Sequence, residues 1–158
     1  MDSTQGMLLV KAAALSFENV VIFLLYASLP YQEGIIDIAI AVSKENLEKV
    51  SKQLQDLGYE FRPTFSTPDR LYFIIYLPDP EEEKRRYHVH LTYPENNEWK
   101  EFIGFRNYLK SDPEALQEYA EIKRQAILAA NHDGNLYRKL KEPIFKKVIF
   151  TIQKPTKE

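Results

Sequence analysis

The sequence of 158 residues contains no cysteine, which excludes disulfide bonds, thiolate zinc sites and thiol nucleophiles. It has only five glycines, and none forms the glycine-rich phosphate loop of P-loop or dinucleotide-binding proteins. The G-x-S-x-G pattern of serine hydrolases and the H-E-x-x-H pattern of zinc proteases are also absent. Lack of cysteine suits a reducing compartment, so we expect a cytoplasmic protein.

A large charge of one sign and a long apolar run are lacking as well. The formal net charge is −2, so we expect no nucleic-acid partner, which would require a basic surface. The most apolar stretch, residues 20–31, has 12 residues, whereas a membrane-spanning helix needs about 20. Glu18 precedes this stretch, where a signal peptide would carry basic residues. We therefore expect a buried strand here and no membrane association.

A strand followed by a helix is predicted in the first half of the chain. Apolar and small residues alternate over residues 35–42, which is typical of a β-strand. Residues 43–59 then predict a helix with Ser43 as its N-cap and Gly58 as its stop signal. The apolar stripe of this helix comprises Leu47, Val50, Leu54 and Leu57.

The middle of the chain predicts a β-hairpin. Residues 70–77 and 87–93 both read as strands, and the charged residues 78–86 between them read as a solvated loop.

Helices are predicted for the last third of the chain. They cover residues 97–110 and 113–130, with Asp112 as the N-cap of the second. A last helix over residues 135–152 should be kinked or broken at Pro143. The order of elements predicts an α+β fold, with a mixed sheet covered by helices on one side.

Asp37 is the first candidate for a functional residue, because aspartate is disfavoured in the middle of a strand. Its face of the predicted strand also carries Ala39 and Ala41, which leave space beside the carboxylate. Such a carboxylate could bind Mg²⁺ or act on a substrate. The alternative is a strand with one solvated face.

His88 and His90 share a face of the predicted strand over residues 87–93, with Cβ atoms about 7 Å apart. Together with Asp37 they would form a two-histidine, one-carboxylate set that suits a transition metal. The alternative is that both histidines are polar residues on the wet face of a sheet.

Three basic residues interrupt the apolar stripes of the predicted helices: Arg106, Lys123 and Lys141. One interpretation is that their stems cover the core while their charges reach water. The other is that three cations on successive helices converge on a polar cleft for an anionic ligand.

A family resemblance rests on segments that occur in this order: IIDIAIAV, LGYEFRPTF, PDRLYF, RRYHVHL, FRNYLKSDPEALQEYAEIKRQ and LYRKLKEPIF. Together they resemble the GrpB family, whose function is poorly defined. The match covers residues 35–147 of an expected single domain over 1–152, in which residues 1–34 diverge and 153–158 form a tail.

The resemblance implies a nucleotidyltransferase-like fold, with a short mixed sheet and a helical C-terminal part. It implies Mg²⁺-dependent transfer of a nucleotidyl group from a nucleoside triphosphate. Asp37 matches the first metal-binding carboxylate, but the second falls near Ala39, which cannot bind metal. His88 and His90 match the H-x-H of the family and would be catalytic or metal-binding. The basic positions that match the family, and would bind substrate or phosphate, are Arg62, Arg70, Arg86, Arg106, Lys123 and Lys141.

One departure concerns the G-S-T-x-x-P-G-L turn that family members usually carry before the Asp strand. Here residues 26–34 read YASLPYQEG, in which only Ser28 and Pro30 resemble that turn, and Ser28 would be a further phosphate-binding residue. Since glycine lets backbone N–H groups approach a phosphate, nucleotide binding should be weakened. Three hypotheses follow: nucleotidyl transfer with Mg²⁺, a non-catalytic binding module for a phosphorylated or anionic small molecule, and binding of another divalent metal by Asp37, His88 and His90.

Overall fold

A computed structural model describes residues 21–24, 35–79, 83–131 and 133–153. Contacts divide the chain into two compact units, which separate the described residues up to Lys100 from those that start at Glu101. The expectation of a single domain over residues 1–152 stays a prediction.

The first unit is built on a mixed sheet of five strands in the order β1-β2-β5-β4-β3. β2 and β5 are parallel, and the other neighbouring pairs are antiparallel. This confirms the α+β prediction. The strands are β1 (Val21–Leu24), β2 (Ile35–Ala41), β3 (Glu60–Phe61), β4 (Leu71–Asp79) and β5 (Glu83–Thr92).

Helix α1 (Leu47–Asp56) packs against one face of this sheet and forms the core of the first unit. Each leucine buried in this way contributes about 1.5–3 kcal/mol. The predicted stripe is wrong at Leu57, which is 40% exposed because it lies just after the helix ends. The core side chains are Leu47, Val50 and Leu54 of α1 together with Ile38, Ile40, Val42, Tyr59, Phe73, Tyr87, Val89 and Leu91.

The predicted hairpin is confirmed, but its loop is shorter than expected. Strands β4 and β5 pair from Leu71↔Leu91 to Asp79↔Glu83, so most of the segment 78–86 belongs to strands. Pairing along the sheet outweighs the low β-propensity of these charged residues, because each added pair satisfies backbone groups. Of the predicted strand at residues 20–31, β1 is present, and the rest lies outside the described residues.

Three helices follow: α2 (Asn97–Ser111), α3 (Pro113–Ala130) and α4 (Gly134–Gln153). Asp112 caps α3 as predicted, because its Oδ1 accepts hydrogen bonds from the backbone N–H of Glu114 at 3.1 Å and of Ala115 at 3.0 Å.

The last helix does not break at Pro143, since α4 runs through this position, and the predicted kink stays a prediction. A proline removes one hydrogen bond, while Ile144 and Val148 of the same helix are buried and hold it in place. Gln153, expected to begin the tail, is the last residue of α4, and residues 154–158 lie outside the described part. Within the described ranges, no helix is both long and apolar enough to cross a membrane.

Candidate functional site

The site residues meet because β2 and β5 are neighbours in the sheet. In their parallel register Asp37 pairs with His88, and Ala39 pairs with His90. Residues two apart on a strand share a face, so Asp37, His88 and His90 all project from the face opposite α1. Tyr72 joins them, since it pairs with His90 from β4.

The carboxylate of Asp37 lies between the two imidazoles. His88 Nδ1 is 3.2 Å from Asp37 Oδ1, and His90 Nε2 is 3.7 Å from the same oxygen. Asp37 is 8% exposed, and the side chains of His88 and His90 are 15% and 16% exposed. The structure therefore joins these three predicted residues in one buried cluster, while their chemical role stays a prediction.

Arg70 contacts the cluster from the turn before β4. Its Nη1 lies 3.4 Å from His90 Nδ1, and its Nε donates to Glu98 at the start of α2. Because a guanidinium can only donate, His90 Nδ1 must be the acceptor and its proton must sit on Nε2, towards Asp37. By the same logic His88 carries its proton on Nδ1, which donates to Asp37.

The charge state of His90 follows from this environment. Burial lowers the pKa of His90, and the neighbouring Arg70 and His88 lower it further, whereas Asp37 opposes the shift. His90 is therefore neutral at physiological pH, in agreement with its role as an acceptor for Arg70.

Tyr72 packs against both imidazoles at the edge of the cluster. Its ring centroid is 5.3 Å from that of His88 and 5.1 Å from that of His90, both in edge-on geometry. Neither Tyr72 nor Glu98 was predicted to belong to the site. The alternation of β4 puts Tyr72 on a defined face, but only the strand register shows what it contacts. No sequence signal points to Glu98.

Two nitrogens on this face of β5 are buried without a hydrogen bond to any described residue. They are Nε of Arg86 and Nε2 of His88, two residues apart on the strand. The guanidinium of Arg86 also lies over the ring of Tyr76, 5.9 Å from its centroid. Buried polar atoms are normally paired, so this stretch of β5 is suited to a ligand.

The remaining predicted residues have separate surroundings. Arg62 forms a partly exposed ion pair with Glu60 at 2.9 Å, and Ser28 lies outside the described residues. In the second unit, Arg106 donates to Asn107, Lys123 is 2% exposed, and Lys141 lies 4.8 Å from the ring centroid of Tyr137. Their convergence on a shared anion site stays a prediction.

The surroundings of the Asp37 carboxylate can be compared with what the predicted metal sites require. Asp37 Oδ1 already faces two imidazole N–H groups, and the position of the second carboxylate is the buried Ala39. Among the residues that the structure describes, no group of three or more His, Asp or Glu side chains is arranged to hold a metal ion. The residues present do not fit a two-metal centre, which needs several carboxylates.

Two known proteins are similar to this chain in sequence. A UPF0157 protein of Vibrio cholerae is 29% identical over 118 residues, which cover 74% of this chain and 57% of that protein. UPF0157 protein YqkA of Bacillus subtilis is 32% identical over 103 residues, which cover 65% of this chain and 28% of that protein. The chain thus spans little more than half, and about a quarter, of the lengths of these relatives.

A solved structure and a family model complete the comparison. The crystal structure of conserved protein GrpB from Enterococcus faecalis matches with a TM-score of 0.67 over 96% of this chain and 92% of that chain, at 22% identity. The family model described as GrpB protein matches residues 32–150. The chain therefore belongs to the GrpB family, as its sequence segments predicted.

Proposed function

We propose that this protein binds a small phosphorylated molecule at the face of β5 that carries Arg86 and His88, without metal-dependent catalysis. The observation that carries the proposal is the pair of buried nitrogens, Arg86 Nε and His88 Nε2, that have no hydrogen-bond partner in the described part of the chain. A cytoplasmic location belongs to the same proposal.

A phosphate group matches these two nitrogens chemically. Arg86 Nε–H donates to a phosphate oxygen, as guanidinium groups commonly do. With its proton on Nδ1, His88 accepts from a protonated phosphate oxygen through Nε2. Asp37 supports this arrangement, because it accepts from His88 Nδ1 and leaves Nε2 for the ligand.

Nucleotidyl transfer from an Mg²⁺-bound nucleoside triphosphate is the alternative proposal. In its favour, the buried carboxylate of Asp37 lies in the middle of β2, where the family resemblance places a metal ligand. Against it, Oδ1 of this carboxylate faces His88 and His90 instead of open space, and Ala39 supplies no second ligand. The contacts of Asp37 are therefore better explained by a role in orienting the two imidazoles than by a role as a metal ligand.

Calorimetric titration with inorganic phosphate, ribose 5-phosphate and ATP, each with and without Mg²⁺, tests the proposal. We expect binding of at least one probe without Mg²⁺. The Arg86→Gln and His88→Gln variants should bind it about tenfold more weakly, which corresponds to about 1.4 kcal/mol for each lost hydrogen bond to a charged group.

The Lys84→Gln variant is the matched control, because Lys84 is exposed on β5 and shares the face of Arg86. Its affinity should equal that of the wild type. Unchanged affinity in Arg86→Gln, or no binding of any probe, overturns the proposal. Consumption of ATP that needs Mg²⁺ and disappears in Asp37→Asn supports the alternative.

A further inference from the structure

The cluster continues outward from His90 through Arg70 and Glu98. Arg70 Nη1 faces His90 Nδ1 at 3.4 Å, and Arg70 Nε donates to Glu98. The side chain of Arg70 is only 17% exposed, so this ion pair is less screened by solvent than a surface pair. The charges of Arg70 and Glu98 balance each other, and the guanidinium of Arg70 makes contacts through two of its nitrogens, Nε and Nη1.

The backbone beneath Arg70 is held firmly. The N–H of Arg70 donates to the carbonyl of Thr67 at 3.3 Å and to its Oγ1 at 3.1 Å. The preceding carbonyl, of Asp69, accepts from Thr92 Oγ1 at 2.8 Å and from Asn96 Nδ2 at 2.9 Å. The turn before β4 is thereby tied to the end of β5.

The backbone beneath Glu98 is tied to the same point. Its N–H donates to Asn96 Oδ1 at 3.1 Å, and Asn96 Nδ2 donates to Thr92 Oγ1 at 2.7 Å. Asn96 therefore connects the start of α2 to the turn that carries Arg70. Side chains anchored at both ends in this way are suited to set the orientation of a third group.

We propose that Arg70 and Glu98 are positioning residues, which hold His90 as the neutral Nε2–H tautomer and thereby orient Asp37 and His88 for the ligand. This deepens the function proposed above and rests on it. With Nδ1 committed to Arg70, His90 can only donate towards Asp37, so His88 and His90 present two N–H groups to one oxygen. Glu98 holds the guanidinium at His90 and prevents it from turning to Asp37.

This interpretation reassigns Arg70, which the sequence placed among the phosphate-binding residues. A guanidinium bound to a carboxylate and an imidazole presents fewer donors to a phosphate. Its effect on ligand binding is then indirect, through the ring orientation of His90. Among the described residues, Asp37 from β2, His88 from β5, Tyr72 from β4 and Arg70 from the turn before β4 all face His90.

Nitrogen-15 NMR of the histidine rings in the ligand-free protein tests this inference directly. At about pH 8, above the ordinary histidine pKa of about 6.5, the wild type should show His90 protonated only at Nε2 and His88 only at Nδ1. In Arg70→Met the His90 signals should move to an average of both tautomers. Glu98→Gln should move them in the same direction, and affinity for inorganic phosphate should fall about tenfold in both variants.

Arg70→Lys adds a second test, since a lysine keeps the charge but has one nitrogen in place of a planar fork. We expect it to resemble Arg70→Met. The matched control is Glu121→Gln, which removes the partner of Arg124 from an exposed ion pair on α3. His90 signals and phosphate affinity should stay as in the wild type.

The outcomes separate this inference from the proposed function. Unchanged His90 tautomers in both Arg70→Met and Glu98→Gln overturn the inference, even when phosphate binds. Altered tautomers with no phosphate binding by any variant or by the wild type overturn the proposed function and leave the positioning role in place. If Arg70→Met does not fold, Arg70→Lys and Glu98→Gln decide the matter together, because both replacements are close in size to the native side chains.

Discussion

Replacement of Asp37 shows how much the cluster contributes to stability. In Asp37→Ala the N–H groups of His88 and His90 lose an acceptor in a site where the carboxylate is 8% exposed. A buried donor left unpaired costs about 1–3 kcal/mol. The contact with His88 at 3.2 Å is a hydrogen bond, whereas the 3.7 Å separation from His90 is too long for one and adds only an electrostatic attraction. We therefore expect a loss of about 2–3 kcal/mol.

The Asp37→Asn variant separates the charge from the hydrogen bond. The amide oxygen of asparagine still accepts from His88, but without the added strength of an ionised acceptor. Hydrogen bonds to charged groups contribute about 1.5–3 kcal/mol and neutral ones about 0.5–1.5 kcal/mol. We expect Asp37→Asn to lose about 1 kcal/mol, which is clearly less than Asp37→Ala.

Urea denaturation followed by the fluorescence of the single tryptophan, Trp99, measures both losses. Trp99 is 7% exposed, so unfolding should change its emission, and circular dichroism should give a coincident transition. Glu60→Gln is the control, because its exposed ion pair with Arg62 should contribute nothing measurable. An Asp37→Ala variant as stable as the wild type would show that the carboxylate does not hold the imidazoles together, and would refute the reasoning.

Three further predictions concern single residues. Burial lowers the pKa of His90, so below about pH 6.5 the unfolded chain binds a proton that the folded protein does not. The stability of the folded protein therefore falls with decreasing pH in this range. The urea midpoint of His90→Gln should depend less steeply on pH than that of the wild type, and parallel pH profiles would contradict this. Asp112→Ala should lose about 1 kcal/mol of stability, because it removes the N-cap of α3. Asp133→Ala removes the equivalent cap of α4 and should lose a similar amount in the same urea denaturation experiment. Pro143→Ala should gain about 1–3 kcal/mol, because proline is that much less favourable than alanine inside a helix, and a lowered melting temperature would speak against a continuous α4.

Local patterns were sufficient for most elements of the fold. Alternation located β2, and the capping residue Asp112 located the start of α3, because both signals act over a few neighbouring residues. The shorter loop within 78–86 and the absence of a break at Pro143 have a common reason. In each case a locally unfavourable residue is held in its element by pairing or packing with distant parts of the chain.

The candidate site was also predictable from local sequence patterns only in part. Alternation alone determined that Asp37 faces away from the apolar side of β2, and that His88 and His90 share one face of β5, since side-chain direction follows from strand geometry. Only the tertiary structure decided that β2 and β5 are parallel neighbours, in the register that sets Asp37 beside His88. It also decided that Arg70 and Glu98 reach His90. Strand direction is a local property of the backbone, whereas register depends on which of many distant pairings buries the most apolar surface.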